Sequence, residues 1–514
     1  MRRIDLDLFF RLVLATVVVV LILPAVVDVD LWGHVMFGRD TVATRAIPTR
    51  DHYAFTSDLP WINHEWLTEV AMYAAYAAHP AFGLVGLRAL LIAGLLWVVW
   101  ADLRRDGLSI RAALTLVTLL ALLTYPRTQH IRPQLWSLLA FVGLLALLKS
   151  VDRGQRTALA GIPLVLAAWA NFHGGFVVAV LPLALWGVRE ILDRSQTIRA
   201  RATTIGVFVV AGIATLINPY GLGLWSFLAR TVGLERGDII EWLPVTAAGG
   251  AVFVFWAVTV ALAVFAMWRP GFMTRQTGAR GPGPTLHGQR ARPQIERILL
   301  VAGLAVASFR VSRLDAFFAV ATVMCFAPAL ASVLARERSG IFVRRTMPTA
   351  AAVSLLVVGA ATFLLVRPGP SPLQCVDMVS AKWLPEREAS EFVAKNGLHG
   401  RMVVYFDWGE YVLWHFAPRI KVSTDGRRET IYSDRHILGH LQLYGGTERG
   451  LEYFRELDAE YAWLPKSLPL VARLPSLGWH ELYSGSRSAI FGRTPGAPQP
   501  VRATAALTRC FPGP

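Results

Sequence analysis

The chain has 514 residues, 54% of them hydrophobic and only 17% charged, with a mean hydropathy of +0.46. So little charge excludes an ordinary soluble enzyme, and the apolar residues fall in blocks of about 20, the length that spans a bilayer core. The net charge of +16 would point to nucleic acid in a soluble protein. Here the arginines cluster in short loops between apolar blocks, so the positive-inside rule accounts for the excess and no nucleic-acid partner is expected.

Taken in chain order, spans are expected near 9–27, 81–101, 110–126, 133–149, 157–170, 174–192, 203–217, 247–267, 297–309, 314–334 and 347–366, about eleven transmembrane helices in all. No small-residue cleavage site follows the first block, Phe9 to Val27, so it reads as a retained helix. With the N-terminus inside, alternate loops collect Arg2, Arg3, Arg104, Arg105, Lys149, Arg153, Arg156, Arg194, Arg199 and Arg201, then the basic stretch 268–297 and Arg336 to Arg345. That asymmetry, with an odd number of spans, places residues 367–514 on the non-cytoplasmic side. The Gly-, Pro- and Arg-rich loop 268–296 reads as a flexible connector.

From about 386 the pattern changes. Arg401 to Phe406, Arg419 to Thr424, Tyr461 to Leu464 and Trp479 to Ser484 read as strands. Ser433 to Tyr444 and Glu448 to Leu457 read as helices. The expected fold is therefore a polytopic α-helical membrane protein, residues 1–366, with a small C-terminal α/β domain in 367–514 that ends in a Pro-rich tail.

The first outer loop, 28–80, holds the densest chemistry. It runs Asp28-Val-Asp30-Leu-Trp32-Gly-His34, then Asp51-His52-Tyr53, then Trp61-Ile-Asn63-His64-Glu65-Trp66. Acids so close to a membrane exit are usually functional. Two carboxylates there suit general-base work or a divalent metal, because both need fixed negative charge beside a reacting hydroxyl or phosphate. Gly33 to Thr44 and Glu65 to Ala78 read as amphipathic helices at the surface, with the tryptophans as interfacial anchors. Further along, Arg127, His130 and Arg132, the turn Trp169-Ala-Asn171-Phe-His173-Gly-Gly175, the turn Asn218-Pro-Tyr-Gly221 before Glu241-Trp242, and Arg310 with Arg313 all fall at outer helix ends. The two glycines of the 169–175 turn are expected to take positive φ. Arginines on that face could hold an anionic lipid phosphate.

The stretch Asp28 to Leu67, the Trp-x-Asn-x-His-Gly-Gly and Asn-Pro-Tyr-Gly turns with the following Glu-Trp, and the tail segments Phe406-Asp-Trp-Gly-Glu-Tyr411 and Lys421-Val-Ser-Thr-Asp-Gly-Arg427 resemble a group of bacterial multi-span proteins similar to the C-type glycosyltransferases. That superfamily includes protein O-mannosyltransferases and the aminoarabinose transferase of lipid A. The resemblance covers most of the chain. It implies transfer of a sugar from a polyprenyl-phosphate-linked donor to an acceptor, yet to be identified, on the extracytoplasmic face. Membrane lipid is then a partner. Carried over by residue, Asp30 or Asp28 would be the general base, and Asp51 or Glu65 the second acid, placing the acceptor or a metal. The Asp-Glu dipeptide of the mannosyltransferases is replaced here by Asp-Val-Asp. His34, His64 and His173 join Arg132, Arg310 and Arg313 as substrate-binding candidates, the arginines on their phosphate chemistry. The resemblance fixes no cofactor, and a divalent metal stays open.

Two other classes compete. A transporter or flippase would carry ionisable residues at mid-membrane. A non-catalytic envelope assembly protein would work through its outer domain. Finally, Cys375 and Cys510 bracket the segment assigned outside, where an oxidising compartment lets a disulfide persist, and are expected to pair.

Overall fold

The computed structural model describes residues 3–23, 25–80, 82–232, 236–237, 239–269, 295–335, 346–348, 359, 375–378, 383–495 and 510–513. The expected connector at 268–296, the span at 347–366 and the Pro-rich tail lie almost wholly outside them. The chain forms two compact units.

The first unit takes in Met1–Pro24, Gly86–Asn218 and Leu234–Arg367, and the regular structure among its described residues is helical but for a short strand pair. Six of the described helical segments are long and apolar enough to cross a membrane: Gly83–Arg105, Ile110–Thr128, Gln134–Asp152, Gly174–Leu192, Gly250–Met267 and Ser312–Ser332. Shorter apolar helices, Leu6–Ile22, Gly161–Phe172, Ile198–Ala214 and Ile295–Arg310, fall on the other expected spans. Side-chain caps start two of the helices: Ser109 accepts from Ala112 N–H and Thr197 from Ala200 N–H. The helix Asp315–Ala335 is almost wholly buried, packed by Ile110–Thr128, Gln134–Asp152, Gly250–Met267 and Ile295–Arg310. Arg88 is fully buried as well. Its guanidinium donates to the carbonyls of Thr128 at 2.6 Å and Ile22 at 2.5 Å, the last turns of two helices. Helix ends leave such carbonyls without partners, and a cation there also meets the negative end of the helix dipole.

At one end of these helices the charges are matched. Lys149 donates to Asp102 and, at 2.7 Å, to Asp106, while Arg153 reaches both acids at 2.8 Å. Nearby Arg189 binds Asp152 and Glu296, and Arg297 sits 3.5 Å from Asp152.

The second unit is discontinuous: Ala25–Val85, Pro219–Gly233 and Pro368–Pro514. Its core is a five-stranded mixed sheet, in spatial order Ile420–Val422, Gly400–Val404, Tyr461–Pro465, Ser488–Gly492, His480–Ser484. The first three strands run parallel and the last two pair antiparallel. Four of these strands and the helices Asp434–Tyr444 and Glu448–Glu456 stand where the sequence pattern puts them. The strand Ser488–Gly492 was not expected, nor were the helices Arg387–Lys395 and Gly409–Phe416. All five residues of Ser488–Gly492 are buried, so it lacks the alternation that marks a half-buried strand.

The loop after the first helix completes this unit. Ala54 bridges to Val422 at the sheet edge, with Phe55 N–H on the Val422 carbonyl at 3.1 Å. Val26 pairs with Asp377, and Asp377 with Cys510, so three distant stretches lie side by side. Cys375 and Cys510 are disulfide-bonded, their Cα atoms 5.5 Å apart. Two expectations for this loop need correction. The helix Leu31–Thr44 is no surface helix, since Leu31, Trp32, Val35, Met36 and Phe37 are all buried. Nor are Trp32 and Trp61 anchors at an interface: both are at most 2% exposed, and Trp32 donates its indole N–H to the Pro512 carbonyl at 2.8 Å. An apolar stripe looks the same in sequence whether lipid or protein covers it.

Candidate functional site

Two polar constellations stand out, one in each unit. In the helical unit, a hollow is lined by Pro126, Arg127, His130, Arg132, Gln134, Leu138, Glu241, Arg313, Ala316 and Phe317. Arg127 lies in the last turn of Ile110–Thr128, Arg132 just before Pro133, which caps Gln134–Asp152, and Arg313 in the short turn Ser312–Leu314. Arg127 binds both oxygens of Asp315 at 3.0 and 3.2 Å and lies 3.8 Å from Glu241. Arg132 donates to Glu241. Arg313 lies over the Trp242 ring at 4.9 Å, with Arg236 over the same ring at 4.0 Å. Burial alone would raise the Glu241 carboxyl, but Arg132, Arg313 and Arg127 outweigh it and hold it at about 2. Three guanidinium groups thus surround Glu241 and Asp315. Arg127 Nη2 and Gln134 Oε1 are buried with no hydrogen-bond partner among the described residues. Such a hollow brings several guanidinium groups and one open donor to a single wall, which suits a phosphate.

Of the arginines expected to hold phosphate, Arg132 and Arg313 are in this hollow and Arg310 is not. Arg310 ends the helix Ile295–Arg310 with its side chain exposed. His173 is not among the lining residues either. Its Nδ1 lies 2.7 Å from Ser137 Oγ and accepts Gly175 N–H at 2.9 Å. The turn at 169–175 is therefore made by a histidine cap, and neither Gly174 nor Gly175 takes a positive φ. Gly175 is a glycine for another reason: a Cβ would sit 2.6 Å from both His173 Nδ1 and Ser137 Oγ. In the Asn-Pro-Tyr-Gly turn, Gly221 does take positive φ, +51°.

The second unit gathers acids. Asp30 precedes the helix Leu31–Thr44, and its N–H donates to Asp28 Oδ1 at 3.2 Å. One turn on, His34 Nδ1 lies 3.5 Å from Glu69 and 3.8 Å from Glu65, while His64 Nε2 lies 3.5 Å from Glu65. Burial works against charge on His34, yet Glu69, Glu65 and Asp30 together raise it to about 9, so it is cationic at neutral pH. Asn63 donates to Glu69 at 2.6 Å and fixes that carboxylate. Asp30, His34, His64 and Glu65 thus form one network.

Asp51 has a different setting. It accepts Arg427 at 2.5 Å and the N–H groups of Tyr53 and Ala54 at 3.1 and 2.8 Å. Arg427 is bound again by Asp425 at 2.6 and 2.9 Å and enclosed by the rings of Phe37, Trp61 and Tyr53 at 4.7, 4.7 and 5.3 Å. Despite its burial, Asp51 is held below the usual carboxylate range by Arg427. The tail also sends Asp407 and Glu410 into this unit's interior. Burial first, then Asp28, raises Asp407 to about 6.

Sequence reasoning did not single out Glu69, Asp407, Glu410, Asp425 or Arg427 as functional, nor Glu241 and Asp315 as partners of the arginines. Only the tail motifs around Asp407 and Asp425 hinted at them. Among the described residues no group of three or more His, Cys, Asp or Glu side chains is arranged to hold a metal ion.

No protein-family model and no curated protein matches this sequence. Solved structures do match. The archaeal oligosaccharyltransferase AglB from Archaeoglobus fulgidus, in complex with an inhibitory peptide and a dolichol-phosphate, superposes with a TM-score of 0.52 at 13% identity, over 88% of this chain and 69% of that one. The arabinofuranosyltransferase AftD from Mycobacteria gives 0.51 at 13% identity, over 95% of this chain but only 41% of its own. The fold of this chain is therefore similar to that of the C-type glycosyltransferases, as its first-loop and tail motifs implied.

Proposed function

We propose that this protein is a glycosyltransferase that moves a sugar from a polyprenyl-phosphate-linked donor to an acceptor hydroxyl on the extracytoplasmic face of a bacterial inner membrane. The observation that carries the reading is the hollow lined by Arg127, Arg132 and Arg313, where Arg127 Nη2 is buried without a hydrogen-bond partner among the described residues. The similar fold of AglB, whose complex holds a dolichol-phosphate, supports it. On this reading the chain has about eleven spans, residues 1–366 form the membrane part, and 367–514 lie outside.

The roles follow from the chemistry. The acceptor oxygen attacks the anomeric carbon, and the bond from that carbon to the carrier phosphate oxygen breaks. The phosphate leaves with the electron pair, and the arginines stabilise its charge. Asp30, the half-buried acid of the first loop, takes the hydroxyl proton. Glu65, between His34 and His64, places the acceptor. Asp51 holds Arg427 in its aromatic cage and shapes the unit that carries the acids.

The test uses purified full-length protein in lipid with a panel of labelled polyprenyl-phosphate sugars. Wild type should turn over one donor class, and Asp30→Asn should abolish transfer while leaving donor binding in place. Undiminished transfer by Asp30→Asn removes Asp30 as the base, and failure to bind any polyprenyl phosphate removes the whole reading.

A further inference from the structure

Glu410 opens the helix Gly409–Phe416 and is 3% exposed. Its Oε2 accepts the N–H of Gly33 at 3.0 Å. A Cβ on Gly33 would collide with that carboxyl group. Gly426 meets it from another side. A Cβ there would overlap Asp30 Oδ1 and lie 2.9 Å from Glu410 Oε1. The Asp30 and Glu410 carboxyl groups therefore reach the same small space, which two glycines keep open.

The charges around this space are mostly negative. Glu410 faces Asp30 from the first loop, Asp425 and Arg427 from the segment after Ile420–Val422, and Glu69 from the helix Trp66–Ala78. Arg427 is the cation among them, and Asp425 and Asp51 already bind it. Asp30 in turn lies near Asp28 and His34. Two adjacent carboxylates in a low-dielectric site do not both ionise, and the more buried one keeps the proton. Glu410 is the buried member and Asp30 the half-buried one.

We propose that Glu410 stays protonated and donates its O–H to the Asp30 carboxylate, which makes it a positioning residue for the base. The inference rests on the reading of Asp30 as the base. It gives the tail unit a part in the chemistry, since Glu410 orients Asp30 toward the acceptor hydroxyl and fixes which of the two acids can take its proton. Burial, reinforced by Asp30 and Asp425, holds the Glu410 carboxyl well above the usual range.

Infrared spectroscopy of the full-length protein in lipid at neutral pH tests the proton directly. A protonated carboxyl C=O band should shift on selective ¹³C-glutamate labelling and vanish in Glu410→Gln. If wild type has no glutamic-acid band, the proposal is wrong, and this labelling needs no variant to fold. The second readout is the pH profile of transfer. An amide N–H is a weaker donor to a carboxylate than a carboxyl O–H, so the acid limb of Glu410→Gln should move up by about half a pH unit or more. A rate lowered equally at every pH would mean a merely structural role and would overturn the positioning claim. If wild type transfers no sugar from any donor, the reading of Asp30 as base fails, while the infrared band still decides whether Glu410 holds a proton.

Discussion

At one end of the helical unit, Lys149 and Arg153 meet Asp102 and Asp106, and Arg189 and Arg297 meet Asp152 and Glu296. Along the helix Gln134–Asp152, about 28 Å away at its other end, Arg127, Arg132 and Arg313 gather around Glu241 and Asp315. Both regions are rich in arginine, and both would be scored alike by counting ion pairs. A hollow separates them. The first network ties helices together; the second lines a hollow, beside the buried Arg127 Nη2 and Gln134 Oε1, which have no hydrogen-bond partner among the described residues.

The comparison can be broken most forcefully at the matched end. Asp102 is fully buried and accepts both Lys149 and Arg153. Asp102→Ala takes from both cations the buried carboxylate they share and should cost about 3–5 kcal/mol, seen as a large fall in melting temperature or loss of folded protein from the membrane. An equal fall for Arg313→Ala would erase the distinction. Instead, Arg313→Ala should leave melting nearly unchanged and weaken binding of a polyprenyl phosphate about tenfold or more, as expected for a lost charged contact.

A smaller effect sharpens the balance at Glu241. Its carboxyl sits at about 2 in the folded protein, below the usual range near 4. The stability it contributes is therefore fully present above that usual range and is lost as pH falls toward 2. The melting difference between wild type and Glu241→Gln should be constant from pH 8 to about 5 and shrink in more acidic buffer. Least of all should change in Arg310→Ala, whose exposed side chain is outside the hollow. Stability should stay within about 0.5 kcal/mol and phosphate binding should not move.

Much of the helical unit was legible from the sequence, because a run such as Ile110–Thr128 advertises itself by length and composition alone. The turn residues were legible too, though His173 does by capping what glycine was expected to do by φ. The pairings were not. Glu410 meets Gly33 across 377 positions, and Arg427 meets Asp51 across 376. No spacing rule reaches that far in a single sequence. Arg310 and Arg313, three residues apart, also looked equivalent; the short turn at Ser312–Leu314 puts one over Trp242 and leaves the other in the open.

The strand-like alignment of Val26, Asp377 and Cys510 has a consequence for how the protein is made. Residues 25–85 leave the ribosome early, yet the sheet that covers them is encoded after residue 400 and their last neighbours near 510. At about 5–20 residues per second, the loop with Asp30 waits on the order of tens of seconds for its partners. During that interval Trp32, Phe37 and Trp61 have no sheet-bearing tail to pack against, so nascent chains stalled before the tail should be prime clients for chaperones and proteases.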